Sequence, residues 1–381
     1  MWRKQRVREL IFLLLACGLS ALALPGAAQQ PEPTPAPPPQ TQQPQPTQPA
    51  PQTTPAEPQS TPAEMQTPTP SPTPSPTPTP QLPTEPTPTT DTRPRTVATQ
   101  TQAATAAPTP VLWHEADISS LDLYAGPGGD AMKPDLSNVT YIEDEKGGHT
   151  TKYRVKDGAG NIWVVKLGNE AQPETVATRI VWAMGYYTDI TYFVPSVNIQ
   201  GKGKFENVRF EARPKDVKRL DEWKWRENPF VGTRELQGLK VLMLLLNNWD
   251  LKDVNNKVLR VHNPDTNTDE LRYIVSDLGA TLGKTGGFIS RSRNKPKDYE
   301  KAKFITGVKN NIVEFDYHGK EGDLVRDITV EQARWIGSRL AQLSDQQLTD
   351  AVRAANYSPE DMQLIVATLR ARIDELKNLP G

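Results

Sequence analysis

Five residues stand in an order that suits phosphoryl transfer. Lys166 ends the run Val164-Val165-Lys166 and Glu174 follows it. Asp250 precedes Asn255 in one polar loop, and Asp277 opens Asp277-Leu278-Gly279. Phosphoryl transfer asks for few groups. A lysine holds the donor phosphates, a carboxylate orients that lysine, and a second carboxylate sits beside the acceptor hydroxyl. An Asn and an Asp hold Mg²⁺. On this scheme Lys166 and Glu174 bind the cofactor, with Glu170 as a rival partner for the lysine. Asp250 serves the acceptor, and Asn255 and Asp277 take the metal.

Each residue alone also has a plain reading. Lys166 is a strand-end lysine, and Glu174 is a carboxylate favoured at a helix N-terminus. Asp250 and Asp253 cap a loop, and Asp-x-Gly is a common turn. The order of the residues and the elements between them separate the two readings.

Those elements are legible in outline. Thr233 caps an apolar helix through Leu246, which ends at Asn247-Asn248-Trp249. The loop Asp250 to Asn256 follows. Next comes a hairpin with strands at Lys257 to His262 and Leu271 to Ser276, which leads into Asp277. Upstream, short strands are expected at Val139–Glu143, Thr151–Lys156, Asn161–Leu167, Phe193–Ile199 and Phe205–Ala212. A helix from Glu174 to Met184 follows Pro173 and closes at Gly185. Gly126-Pro127-Gly128-Gly129 reads as a loop. Thr281 to Thr306 reads as a long, mobile, basic loop, either simply solvated or facing substrate. Three core helices end the chain: Thr329 to Leu343, Asp345 to Ala355 capped by Ser344, and one starting at Ser358-Pro359-Glu360. The expected fold class is α+β. An N-terminal antiparallel sheet of about five strands carries one helix (139–213), and a mostly helical part follows (214–381).

Composition divides the chain. Met1 to Ala28 has a basic start and an apolar run from Leu10 to Leu24, then small residues, as in a secretory signal peptide cleaved after Ala28. A lipoprotein cleavage at Cys17 is the alternative. Cys17 is the single cysteine, so cleavage after Ala28 leaves a chain that can form no disulfide. Residues 29–110 hold most of the 37 prolines, among Thr, Gln, Ser and Ala. This is the composition of a disordered polyproline stalk, reaching on the order of 200 Å if extended. Residues 111–381 suffice for a two-lobed domain. Export implies a periplasmic, cell-envelope or secreted location. Membrane contact is expected only through the leader or a lipid. Basic and acidic residues balance at 44 and 45 and interleave, which argues against a nucleic-acid partner. No His-Glu-x-x-His or Gly-x-Ser-x-Gly is present, so classical hydrolase readings have no support.

Asp250-Leu251-Lys252-Asp253-Val254-Asn255 is similar to the D-L-K-P-E-N catalytic loop of protein kinases. Asp277-Leu278-Gly279 resembles D-F-G, and Val164-Val165-Lys166 resembles the end of V-A-I-K. The layout over about residues 139–280 resembles the atypical members of that superfamily, namely the HipA-type, phosphoinositide and secretory-pathway kinases. Residues 111–381 as a whole also resemble a group of secreted bacterial proteins. The chain departs from the ordinary kinase pattern. Asn248-Trp249 replaces His-Arg, and Leu278 replaces Phe. G-x-G-x-x-G and A-P-E are absent, and Lys166 and Glu174 are unusually close in sequence.

The resemblance implies a two-lobed kinase-like phosphotransferase or nucleotidyltransferase, with Lys252 joining Asp250 as a catalytic residue and Gly147-Gly148, the nearest substitute for the absent glycine-rich loop, binding the cofactor. It would use ATP or another nucleoside triphosphate with Mg²⁺ or Mn²⁺, and act on a protein or small-molecule acceptor. Two other readings stay open. One is a non-catalytic pseudokinase-type binding module on the stalk. The other is a Ca²⁺-binding structural domain using Asp250, Asp253, Asn255 and Asp277.

Overall fold

Period-two alternation puts successive strand residues on opposite faces, and in the first half of the folded region the strands close into a barrel. The computed structural model describes residues 107–147, 150–286 and 290–380. Strand β1 (Thr109–Val111) comes first and overlaps the last residues of the Pro-rich stretch. Then come β2 (Val139–Asp144), β3 (Lys152–Lys156) and β4 (Ile162–Leu167), helix α1 (Ala171–Ala183), and the long hairpin of β5 (Thr191–Gln200) and β6 (Gly203–Ala212). The barrel order is β2-β3-β4-β6-β5. Its neighbours are antiparallel except where β2 closes on β5 in parallel, through Val139 opposite Ile199 and Thr140 opposite Gln200. The sequence predicts an antiparallel sheet here. Closure removes its edges and encloses Val155, Trp163, Val165, Val194, Val208 and Phe210.

The opposite face of the same strands carries the charges. Lys166 pairs in register with Arg209, and Val164 with Glu211, while Val165 and Phe210 point inward. Helix α1 begins at Ala171, before the Glu174 start that the sequence suggests. Pro173 is tolerated because first-turn N–H groups need no intrahelical partner. Val176, Ile180 and Met184 are fully buried in the larger apolar core outside the barrel, and α1 contacts β5, β6 and the later helix at Asp345–Arg353.

The chain continues through β7 (Lys218–Arg219) into α2 (Arg234–Leu245). The Thr233 hydroxyl accepts from Leu236 N at 3.2 Å, as an N-cap should. Helix α2 is apolar on nearly every side because it is surrounded by protein. The hairpin β8 (Asn256–Asn263) and β9 (Thr268–Val275) follows; its turn is tighter than predicted, with Asn267 at φ 50°. β1, β9, β8 and β7 form a four-stranded sheet.

The region read as a long mobile loop is more ordered than its composition suggests. Residues 287–289 lie outside the described residues, but α3 (Pro296–Lys301) forms within it. Leu282 and Tyr299 are fully buried there. A small hairpin that the sequence does not announce, β10 (Ile305–Lys309) with β11 (Ile312–Phe315), comes next. Helices α4 (Val330–Leu340), α5 (Asp345–Arg353) and α6 (Pro359–Lys377) complete the core, capped by Thr329, Ser344 and Ser358. From α6, the buried Arg372 donates to Leu245 O and Asn247 Oδ1 at 2.8 Å, and to Tyr299 O and Ala302 O. It thereby fastens the end of α2. The fold is mixed α/β. Among the described residues, no helix is long and apolar enough to cross a membrane.

Candidate active site

A cleft of about 520 Å³ lies between the barrel and the segment that follows α2. Lys166, Glu174, Asp250, Lys252, Asn255, Asp277 and Gly147 all line it. Gly148 lies outside the described residues.

Lys166 reaches its partners because β4 and α1 are joined by only a short turn, in which Gly168 takes φ 89°. That turn sets the first helical residues beside the strand end. Glu170 and Glu174, one helical turn apart, then face the same way. The Lys166 ammonium contacts three carboxylates: Glu170 at 2.8 Å, Asp277 at 3.0 Å and Glu174 at 3.1 Å. The sequence left Glu170 and Glu174 as rivals for the lysine, and both bind it.

Beyond Glu174 lies a charge relay that sequence reasoning missed. Arg209 pairs with Glu174 and with Glu211, Glu211 pairs with Arg213, and Arg219 lies 3.6 Å from Glu211. Arg219 pairs with Asp189 and donates to Ser276 Oγ at 2.7 Å, next to Asp277 in sequence. The contacts thus form a ring running from Lys166 through the barrel to Ser276 and back through Asp277. The usable signal was the alternation Arg209-Phe210-Glu211, which puts two charges on the face carrying Lys166.

Charge states follow from this packing. Burial raises the pKa of Glu174, against the pull of Arg209 and Lys166. Burial also opposes ionisation of Asp277, but Lys166 and Arg209 outweigh it and hold that carboxyl below its ordinary value. Glu211 is likewise depressed: burial is overcome by Arg209, Arg213 and Arg219. Lys152, in register opposite Lys166, is lowered by burial and then by Lys166.

On the other wall, the loop after α2 is held by its own polar groups. Asn247 takes φ 53°, and Asn248 Oδ1 accepts from Asp250 N at 3.0 Å. The Asn255 amide donates to Asp250 O at 2.5 Å and to Asp250 Oδ2 at 3.3 Å. Asn255 O accepts from Ser276 N and Asp277 N, so the two ends of the β8–β9 hairpin bring Asn255 and Asp277 together. Lys252 pairs with Asp250 Oδ2 at 3.1 Å, and Lys320 lies 3.0 Å from Oδ1. Among the described residues no hydrogen-bond donor is aligned on that buried Oδ1. Trp249, Arg293 and Lys320 complete this wall, with the Arg293 guanidinium 5.0 Å from the centre of the Trp249 ring.

Among the described residues there is no group of three or more His, Cys, Asp or Glu that could hold a metal by itself. The donor set here suits an ion that keeps its remaining ligands from water and phosphate. The Asn255 amide nitrogen is engaged, and among the described residues its Oδ1 accepts from no donor. Lys166 and Gly279 N both use Asp277 Oδ1, which leaves Oδ2.

No family model and no curated protein matches the chain. The structure is similar to solved kinases at low identity. Against the Helicobacter pylori proinflammatory kinase CtkA, identity is 11%, with 64% of this chain and 95% of that chain covered and a TM-score of 0.42. Against the Golgi casein kinase with Mn/ADP bound, the values are 8%, 64%, 73% and 0.36. Against the Rio2 kinase–ADP/Mg²⁺–phosphoaspartate complex from Chaetomium thermophilum, they are 11%, 64%, 74% and 0.28.

Proposed function

We propose that this protein is a divergent, two-lobed kinase-like phosphotransferase, with the barrel and α1 as the first lobe and the region from α2 onward as the second. One observation carries the reading. Lys166 contacts Glu174 on α1 and Asp277 after the β8–β9 hairpin in a single cleft, with Asp250 on the facing wall. This arrangement joins a phosphate-holding lysine, its orienting carboxylate, a metal-binding aspartate and a carboxylate near the acceptor.

When bound, a nucleoside triphosphate and its Mg²⁺ or Mn²⁺ supply the transferable phosphoryl group and neutralise its charge. Lys166 holds the donor phosphates and Glu174 fixes the lysine. Asp277 Oδ2 and Asn255 Oδ1 take the ion. Asp250 receives or orients the acceptor proton, and Lys252 steadies it through Oδ2. The acceptor is a protein or a small molecule. The signal-peptide-like composition of residues 1–28 supports a reaction in the periplasm, in the envelope or outside the cell.

A second reading, a non-catalytic pseudokinase-type module, draws on the pairing of Asp250 with both Lys252 and Lys320. A label-transfer assay from γ-labelled ATP or GTP with Mg²⁺ or Mn²⁺ distinguishes the two. The phosphotransferase reading expects transfer, including self-labelling, that falls about 10²- to 10⁴-fold in Asp250→Ala. Binding without transfer in the wild type favours the module.

A further inference from the structure

The Lys166 ammonium donates hydrogen bonds to Glu174 and Asp277, and the Glu170 carboxylate lies 2.8 Å away on its third side as an ion pair. A donor phosphate that takes the third N–H must therefore occupy the place of Glu170. Glu174 is 1% exposed and gripped by Arg209. Asp277 is tied to Gly279 N and set by the ring through Ser276. Glu170 is different. It stands at the N-cap of α1 on the cleft wall. Its other partners are the Arg293 guanidinium and Thr150 Oγ1, the latter at 3.1 Å. An ammonium, a guanidinium and a hydroxyl around one anionic group make a phosphate-binding set.

We propose that the Glu170 carboxylate occupies the seat of a donor phosphate, and that Arg293 and Thr150 transfer to that phosphate when the donor binds. Arg293 is prepared for this. Its guanidinium packs against the Trp249 ring, which holds it at the cleft whether or not Glu170 stays. Gly279 makes room for the occupant, since a Cβ there would lie 2.8 Å from Glu170 Cβ. Glu170 thus lowers donor affinity by competing from within the chain, and Arg293 is a donor-binding residue supplied by the segment after Asp277-Leu278-Gly279.

This inference rests on the cleft being a donor-phosphate site, and the two ideas fail differently. The test is calorimetric titration of the full chain with inorganic tripolyphosphate, and separately with ATP and Mg²⁺. Wild type is compared with Glu170→Gln, Arg293→Ala and Thr150→Ala, each checked for an unchanged melting profile. Glu170→Gln should bind both probes about tenfold more tightly, because the internal competitor loses its charge. Arg293→Ala should bind both about tenfold more weakly, and Thr150→Ala more weakly by a smaller factor. Unchanged or weaker tripolyphosphate binding in Glu170→Gln overturns the proposal, as does unchanged binding in Arg293→Ala. A loss confined to the Mg²⁺ titrations in Glu170→Gln also overturns it, since Glu170 would then be a metal ligand. Should Glu170→Gln not fold, the Arg293→Ala and Thr150→Ala titrations decide. Tighter tripolyphosphate binding in Glu170→Gln with no nucleotide binding in any variant keeps this proposal and removes the phosphotransferase reading.

Discussion

Lys166 and Asp277 are 111 residues apart in sequence and 3.0 Å apart in space. Two independent paths hold them there. One is the direct ion pair, and the other is the relay through Glu174, Arg209, Glu211, Arg219 and Ser276. The cleft is thereby set before any ligand arrives, which is what electrostatic stabilisation of a transferring group requires.

Lys166→Ala should weaken nucleotide affinity while the barrel stays folded, because the side chain points to the cleft and not into the apolar interior. A melting curve beside a nucleotide titration checks this. A variant that unfolds instead would mean that the lysine chiefly neutralises Glu174 and Glu170.

Glu211 makes a stability prediction with a sign. Glu211→Gln leaves Arg209 and Arg213 under-compensated and should cost about 3–5 kcal/mol at neutral pH. The folded-state pKa of Glu211 is depressed, so its stabilisation is complete above the ordinary glutamate value. That stabilisation is lost as pH falls through the folded value. Urea unfolding should therefore show a constant gap between wild type and variant from about pH 6 to 8, closing below about pH 4. A gap that closes between pH 8 and 6 would contradict this. The depressed Asp277 carboxyl adds a contribution of the same sign.

Much of this site was legible because its parts are local. Thr233 and the apolar run to Leu246 announce α2. Lys166 and Glu174 sit on either side of a short turn, and Asn255 and Asp277 sit at the two ends of one hairpin. The relay was not legible, since Arg209, Arg219 and Ser276 meet only after the barrel closes. Barrel closure itself depends on the parallel pairing of β2 with β5, and no adjacent pattern encodes that pairing. The basic region after Gly279 looked loop-like because Lys and Arg mask the few residues, Leu282 and Tyr299, that bury it.

Arg372 offers a test remote from the cleft. Arg372→Met should leave Asn247 Oδ1 and the carbonyls of Tyr299 and Ala302 without the Arg372 donor, while Leu245 O keeps the Tyr299 hydroxyl, and lower stability by several kcal/mol, at about 1–3 kcal/mol for each unsatisfied buried group. Denaturant unfolding measures this, and a change below about 0.5 kcal/mol would show that the buried guanidinium is not the fastening of α2.

Metal-dependent nucleotide binding is the claim on which the account turns. Titrating ATP, and then GTP, into the full chain by calorimetry, with and without Mg²⁺ or Mn²⁺, tests it directly. The account predicts saturable binding that needs the ion and disappears in Asp277→Ala, with Asp250→Ala still binding. At about 100-fold over Kd the ligand should add roughly 2.7 kcal/mol of stability. A wild-type chain that binds neither nucleotide with either ion would contradict it.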